Sequence, residues 1–261
     1  MPLSYAKFSC AKEESNPLDP PEYTYTGRSE LVLEEGKGWK LKFLSSGHFI
    51  LQKPKKTDID VFIVGGGSGG GTYGSGGGGG YTHTYKGITL TSSVSYPVTI
   101  GMGAAGQSDN DGGTSSAFGY EAKGGSGRYS ESNGNDGGSG GGGSRNFGGS
   151  GGSDGSDGYP GTSTGSAKEP GGVGQHTTTR EFGEAGATLY SGGGGGGSSG
   201  DTNRYGYGGA GGGGNGGSGR NTSATSATFY GGGGGGGGHN LFAGNGYQGI
   251  VIIRNHREAT A

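Results

Sequence analysis

The sequence is poor in the materials from which most folded chains are built. Cys10 is its one cysteine, which excludes an internal disulfide framework and a cysteine-based zinc site and suits synthesis in a reducing cytoplasm. Hydrophobic residues make up 26% of the chain, a level that leaves many sequences disordered unless those residues are concentrated somewhere. No window approaches the ~20 apolar residues of a membrane span, and the opening MPLSYAKFSC has neither a charged start nor an apolar run. Neither a signal peptide nor membrane insertion is therefore expected. Charge is scarce as well: the formal net charge is −2 and lysines and arginines are spread thinly, so there is no electrostatic footprint for nucleic acid or an anionic membrane.

Glycine is what abounds, at 74 of 261 residues, against ~7% in an average protein. Without collagen's strict triplet, such a composition is ordinarily read as low complexity. The distribution of the apolar residues argues otherwise. They gather at the two ends, in segments such as DIDVFIV (58–64) and GIVIIR (249–254), which predicts that both ends share one core.

Residues 1–22 are polar and close on NPLDPPE, where spaced prolines favour extended backbone, so this stretch reads as a linker or docking arm. From Tyr23 the pattern takes a period of two: Leu31 and Leu33, then Trp39, Leu41 and Phe43, then Phe49 and Leu51, then Ile59, Val61 and Ile63. Such alternation predicts half-buried strands. EEGKG (34–38) and SSGH (45–48) supply turn chemistry between them, which reads as an antiparallel meander. Segments 59–64 and 250–253 are apolar on both faces, as central strands are, and are candidates to pair with each other. ITLTSSVSYPVTIG (88–101) reads as a further pair around a short polar turn, giving about seven or eight strands, the number of a sandwich.

Glycine runs occur at 76–80, 140–143, 192–197, 211–214 and 231–238. One isolated run would be a flexible tether. Recurrent runs separated by aromatics such as Tyr81, Phe118, Tyr190 and Tyr230 predict instead a bundle of left-handed polyglycine helices with three residues per turn. Such helices have no internal hydrogen bonds and must satisfy one another laterally, at distances only glycine permits. Ordering a residue costs about 1–2 kcal/mol, while a backbone hydrogen bond returns about 0.5–1.5 and a Cα–H···O contact about 0.5–1. With so thin a margin, the bundle needs a conventional core to pin its ends. At ~3.1 Å per residue the run 231–238 spans about 25 Å. SDNDGG (108–113), SNGND (132–136) and SDGSDG (153–158) read as loops between helices.

The expected fold is mainly β: an antiparallel sandwich made by the N-terminal meander and the C-terminal strand, carrying an inserted polyglycine-helix bundle, with little or no α-helix. The divisions are an arm at 1–22, a sandwich part with the first glycine strands at 23–101, the bundle at 102–245 and a closing strand and tail at 246–261.

Chemistry-bearing motifs are sparse. GxGxxG spacings recur, but no amphipathic helix follows any of them, so a nucleotide fingerprint is not expected. Asp109, Asp111, Asp154 and Asp157 fit Asp-Gly turns better than the spaced calcium loop with its final glutamate. His48, His83, His176, His239 and His256 are dispersed without paired spacing. No catalytic residue, metal site or cofactor is expected. Tyrosines among glycine, serine and asparagine are the informative group, because that mixture gives large contact area at low entropic cost. Tyr129, Tyr159, Tyr205 and Tyr207 are the candidate binding residues, while Tyr190 and Tyr230, beside long glycine runs, are expected to cover the outer faces of the bundle.

DVFIVGGGSGGG (60–71), GGGYTHTYKGITLTSSVSYPVTIG (78–101), TTTREFGE (177–184) and GYQGIVIIR (246–254) together resemble glycine-rich proteins of phage and prophage tails, over about residues 23–255. These segments occur in that family's order. The family is similar to T-even-type adhesins at long-tail-fibre tips, in which polyglycine helices form a sandwich and loops at the far end contact a host receptor. A more distant similarity is to the glycine-rich extracellular domain of anaplastic lymphoma kinase-type receptors, against which the scarcity of cysteine argues. The resemblance implies a non-catalytic receptor-binding module of a virion tail. It would be made in the host cytoplasm and held by an upstream tail-fibre or baseplate protein. Its partner would be a bacterial surface molecule, either protein or glycan, and an oligomer is compatible with it. The fibre-docking domain of the T-even adhesin has no counterpart here, where a short arm and the meander stand instead. A purely structural tail component and a disordered, self-associating Gly/Tyr segment are the rival readings. An ice-binding bundle would need regularly spaced small residues or threonines on a flat face, and the sequence shows no such regularity in its loops.

Overall fold

The computed structural model describes residues 16–72, 74–127, 133–144, 179–198, 205–218, 222–238 and 241–257. Its strands, in chain order, are β1 (Glu22–Tyr25), β2 (Ser29–Glu34), β3 (Gly38–Phe43), β4 (Gly47–Lys53), β5 (Lys56–Val64), β6 (Thr82–Thr91), β7 (Ser95–Thr99), β8 (Ser115–Ala117), β9 (Tyr120–Ala122) and β10 (Ile250–Asn255). They form two antiparallel sheets, β1-β4-β7-β8-β9 and β2-β3-β10-β5-β6. No α-helix occurs among the described residues. The protein is mainly β and sandwich-like, as the alternating pattern predicted.

The core between the sheets takes the residues that the period of two assigned to it. Trp39, Leu41 and Phe43 of β3 meet Phe49 and Leu51 of β4, with Ile59, Val61 and Ile63 of β5, Val98 of β7 and Val251 and Ile253 of β10, all buried. The Phe43 and Phe49 rings pack edge to face at 5.7 Å. Burying each such aromatic is worth roughly 1.5–3 kcal/mol.

The two segments apolar on both faces do pair. β10 lies between β3 and β5, with Ile250 opposite Val64 and Ile253 opposite Val61 on one side, and Ile253 opposite Leu41 on the other. The last strand of the chain thus sits in the middle of its sheet. Its outward side chains Ile250 and Ile252, with Phe62 and Val64 of β5, are covered by Phe182, Tyr190, Phe229 and Tyr230, which explains the apolar character of both faces.

Three expectations are corrected. β3 and β4 are not hairpin partners: the segment 45–48 carries the chain from one sheet to the other, so that β4 pairs with β1 and β7. The 88–101 stretch is no hairpin either, since β6 pairs with β5 and β7 with β4 and β8. An alternating strand specifies which face is buried, and two strands facing each other across a core show the same alternation as two paired side by side. Thirdly, Leu31 and Leu33 are not half-buried. They lie opposite Leu41 and Trp39, on the core-facing side of β2, yet stand 42% and 68% exposed at the rim.

Glycine-rich rows run from one pole of the sandwich, as continuations of its strands. The row 65–71 leaves β5 and the row 75–81 returns to β6; the row 101–107 leaves β7, and 241–249 returns to β10. Within the rows, lateral hydrogen bonds recur every third residue. Gly65, Ser68 and Gly71 donate to Tyr81, Gly78 and Ser75, whereas Gly67 and Gly70 donate to Tyr247 and Gly244. A β-strand would return to the same neighbour every second residue.

The row 231–238 shows the arrangement most fully. Gly233 and Gly236 donate to Gly192 and Gly195, Gly234 and Gly237 to Ser68 and Gly71, and Gly235 to Thr225. Its carbonyls accept in the same rhythm: Gly231 and Gly234 from Gly80 and Gly77, Gly232 and Gly235 from Tyr247 and Gly244, Gly233 and Gly236 from Gly214 and Gly217. Every direction around the row is taken by another backbone. A Cβ on Gly235 would overlap the carbonyl of Asn215, one on Gly234 the carbonyl of Gly244 and one on Gly67 the carbonyl of Gly232.

Rows at the rim are released from that constraint on their outer sides. In the 222–228 row, TSATSAT, Ala227 is buried inward while Thr222, Thr225 and Thr228 are exposed. Thr225 Oγ1 accepts the Asn215 N–H at 2.8 Å and Ser226 Oγ accepts the Asn245 N–H at 3.0 Å, so hydroxyls tie neighbouring rows where glycine is not required.

Candidate functional site

The rows have two ends of different character. At the sandwich end the turns are structural. The turn at 229–231 sets Phe229 and Tyr230 over the outer face of the β10/β5 sheet, and the aromatic series Phe62, Tyr190, Phe229, Tyr230, Tyr247 continues with ring centroids 5.1–5.5 Å apart. Tyr190 is buried there, and Tyr230 packs against the same apolar cluster. The expectation that these two tyrosines cover the outer faces of the bundle is corrected: they cover a sheet, because the apolar face left by Phe62, Val64, Ile250 and Ile252 draws them in.

Segment 179–191 crosses that face as a strap, and charge holds it. Asp60 and Arg254 are fully buried partners at 3.1 Å, lying opposite each other in the β5–β10 register. Arg254 also bonds Glu184 of the strap, and its guanidinium lies 4.1 Å over the Phe182 ring. Phe182 takes φ of 54°, a conformation rare for a residue with a side chain, within the single 3-10 turn Glu181–Gly183. His256 Nδ1 stands 2.7 Å from the other Asp60 oxygen.

Beside it, Lys40 bridges Glu34 at 2.9 Å and Glu181. Burial alone would lower the Lys40 pKa, but hydrogen bonds and charge from Glu181 and Glu34 raise it above the usual lysine range. Burial likewise would raise Glu34, yet hydrogen bonds from Arg257 and Lys40 hold it below the usual carboxylate range. Tyr190 donates its hydroxyl to Glu181 at 2.8 Å; burial first, then the Glu181 charge, raise its pKa strongly. The sequence signal for this network was present in Asp60 and Arg254, opposite charges each set inside an apolar strand. Its chemistry is that of a clamp: every group is engaged with another protein group.

The end remote from the sandwich is polar. There the 101–107 row turns through Ser108–Asp111, Ser108 Oγ donating to the Ala105 carbonyl and Asp111 accepting the Gly127 N–H at 2.8 Å. Asp111 thus ties two segments together, while Asp154 and Asp157 lie outside the described residues; among the described residues no group of histidine, cysteine and acidic side chains could hold a metal ion.

Of the four candidate tyrosines, Tyr129 and Tyr159 lie outside the described residues. Tyr205 and Tyr207 open the 205–210 row at this remote end, their rings 5.5 Å apart and inclined at 62°. Tyr207 is 52% exposed. Phe242, near the start of the 241–249 row, is 72% exposed at the same end, and the sequence reading did not single it out. Its signal was the apolar pair Leu241-Phe242 almost directly after eight glycines. The exposed threonines of the 222–228 row were missed too; they form a regular line on that row, where Thr225 already serves to tie rows together.

The sequence model of a family described as "Glycine-rich domain" matches residues 44–256. A comparison with curated proteins gives no match.

Proposed function

The chain belongs to the glycine-rich domain family, and from that premise we propose that it is a non-catalytic adhesin of a phage or prophage tail. In this reading the rows are polyglycine helices. They form a rigid bundle that carries the remote turns, together with Tyr205 and Tyr207, to a protein or glycan on a bacterial surface.

The observation that carries the reading is the contrast between interior and ends. A Cβ in the interior rows would overlap a neighbouring backbone carbonyl, as at Gly67, Gly234 and Gly235. Apart from small buried residues such as Ser68, side chains in the rows are therefore placed at rim positions and in turns, and the remote turns gather at one end. A scaffold whose interior is sterically restricted and whose tips are not is what recognition of changing surfaces requires. Anchorage through the sandwich by an upstream fibre or baseplate protein completes the proposal.

Fluorescently labelled full-length protein, applied to a panel of bacteria, tests it. The proposal expects saturable staining of particular strains, and loss of staining on Tyr207→Ala with an unchanged melting curve. Absence of staining on every strain would leave a purely structural tail part.

A further inference from the structure

The sandwich has four sheet edges, and three of them are blunted in the ways proteins use to prevent strand addition. β1 has four residues and a register irregularity at Glu22/Tyr23. β9 has three residues. β6 carries a bulge opposite Ile59/Val61, where it presents Lys86 and the left-handed Gly87, φ 67°. β2 is different. It has six residues, pairs with β3 without irregularity from Ser29 to Glu34, and among the described residues has no strand on its other side. Its core-facing Leu31 and Leu33 are exposed.

We propose that β2 is a docking edge for an extended segment of another protein, which adds to the sheet as an antiparallel strand with apolar residues opposite Leu31 and Leu33 and a basic residue opposite Glu30. Backbone groups along the edge supply the affinity and the two leucines the selectivity. The charges decide the occupant. Glu34 is engaged by Lys40 and Arg257, whereas Glu30 is left to Lys42 at 3.5 Å on the exposed surface. A second copy of this chain, in the antiparallel register that sets Leu31 against Leu33, would set Glu30 against Glu34. Like charges directly opposite are destabilising, so in that register a foreign strand bearing a cation opposite Glu30 is favoured over a second copy. The inference does not depend on the adhesin reading, because it concerns the sandwich and not the remote turns.

The test uses the full chain and a labelled synthetic peptide, Thr-Leu-Val-Leu-Lys-Thr, designed to run antiparallel to β2. Saturable binding is expected, weakened about tenfold by Leu33→Lys in the protein or by glutamate in place of the peptide's lysine. In the unaltered protein the peptide should slow amide exchange at residues 29–34 and leave β6 unaffected, a measurement that needs no variant to fold. Absence of saturable binding, binding indifferent to Leu33→Lys, or exchange slowed elsewhere would overturn the proposal. A concentration-dependent dimer abolished by Leu33→Lys would do so too, because the occupant would then be a second copy.

Discussion

The sandwich and the glycine rows share one chain but are held together by opposite means. In the sandwich, the space between two backbones is filled by side chains such as Phe43, Phe49 and Trp39. In the rows, the space is absent: backbones touch, and the lateral hydrogen bonds of Gly233, Gly234 and Gly235 point to three different neighbours. Stability in the first comes from apolar area removed from water, and in the second from backbone groups that satisfy each other without intervening atoms. The two regions should therefore fail under opposite substitutions, one on losing atoms and the other on gaining them. They are also coupled, since the strap and the aromatic turn at 229–231 cover the face of the sheet whose strands run on into the rows.

The largest effect is expected from removing a side chain where side chains do the packing. Phe43→Ala should cost about 3–5 kcal/mol, read as a shift in the urea midpoint followed by Trp39 fluorescence. Because the rows depend on the sandwich, amide protection at 231–238 should be lost in the same transition. Survival of that protection after the sandwich has melted would show that the rows stand alone.

Adding a single methyl to the interior of the bundle should come next. Gly235→Ala places a Cβ on the Asn215 carbonyl, and overpacking of this kind costs about 1–3 kcal/mol. Ser223→Ala, on an exposed rim position of the 222–228 row, should stay within about 0.5 kcal/mol. Equal losses in the two variants, by thermal melting, would erase the distinction between interior and rim.

The smallest effect is electrostatic and acts at the seam between the regions. Glu34 has a folded pKa below its unfolded one, so its contribution is complete above the unfolded value and lost as pH falls through the folded value. Lys40 has a folded pKa above its unfolded one, so its contribution is complete below the unfolded value and lost as pH rises through the folded value. The pair should contribute about 1 kcal/mol or less, constant between the carboxylate and lysine ranges and declining beyond both. A melting temperature that rises as the solution is taken into the acid range would contradict this.

Much of the sandwich was legible because side-chain periodicity is a local property. Trp39, Leu41 and Phe43 announce β3, and the doubly apolar β5 and β10 announced their central place and stood as candidates for the pairing that the structure shows. Partnership was harder to read: β4 alternates in the same way whether it pairs with β3 or faces it across the core. The short β8–β9 hairpin hid among glycines, with Phe118 at its turn packing on Phe43 and Phe49. Of the candidate site, Tyr205 and Tyr207 could be found from composition, while Phe242 needed the position of its row.

By itself the sequence determined where side chains must be absent and that both chain ends meet in one apolar core, because glycine content and a period of two are written residue by residue. Tertiary structure alone decided which row lies beside which. Glycine runs are chemically alike, so no run carries the identity of its neighbour. The neighbours of the 231–238 row come from segments as distant as 65–71 and 191–198, and the sandwich strands and the strap bring them into register.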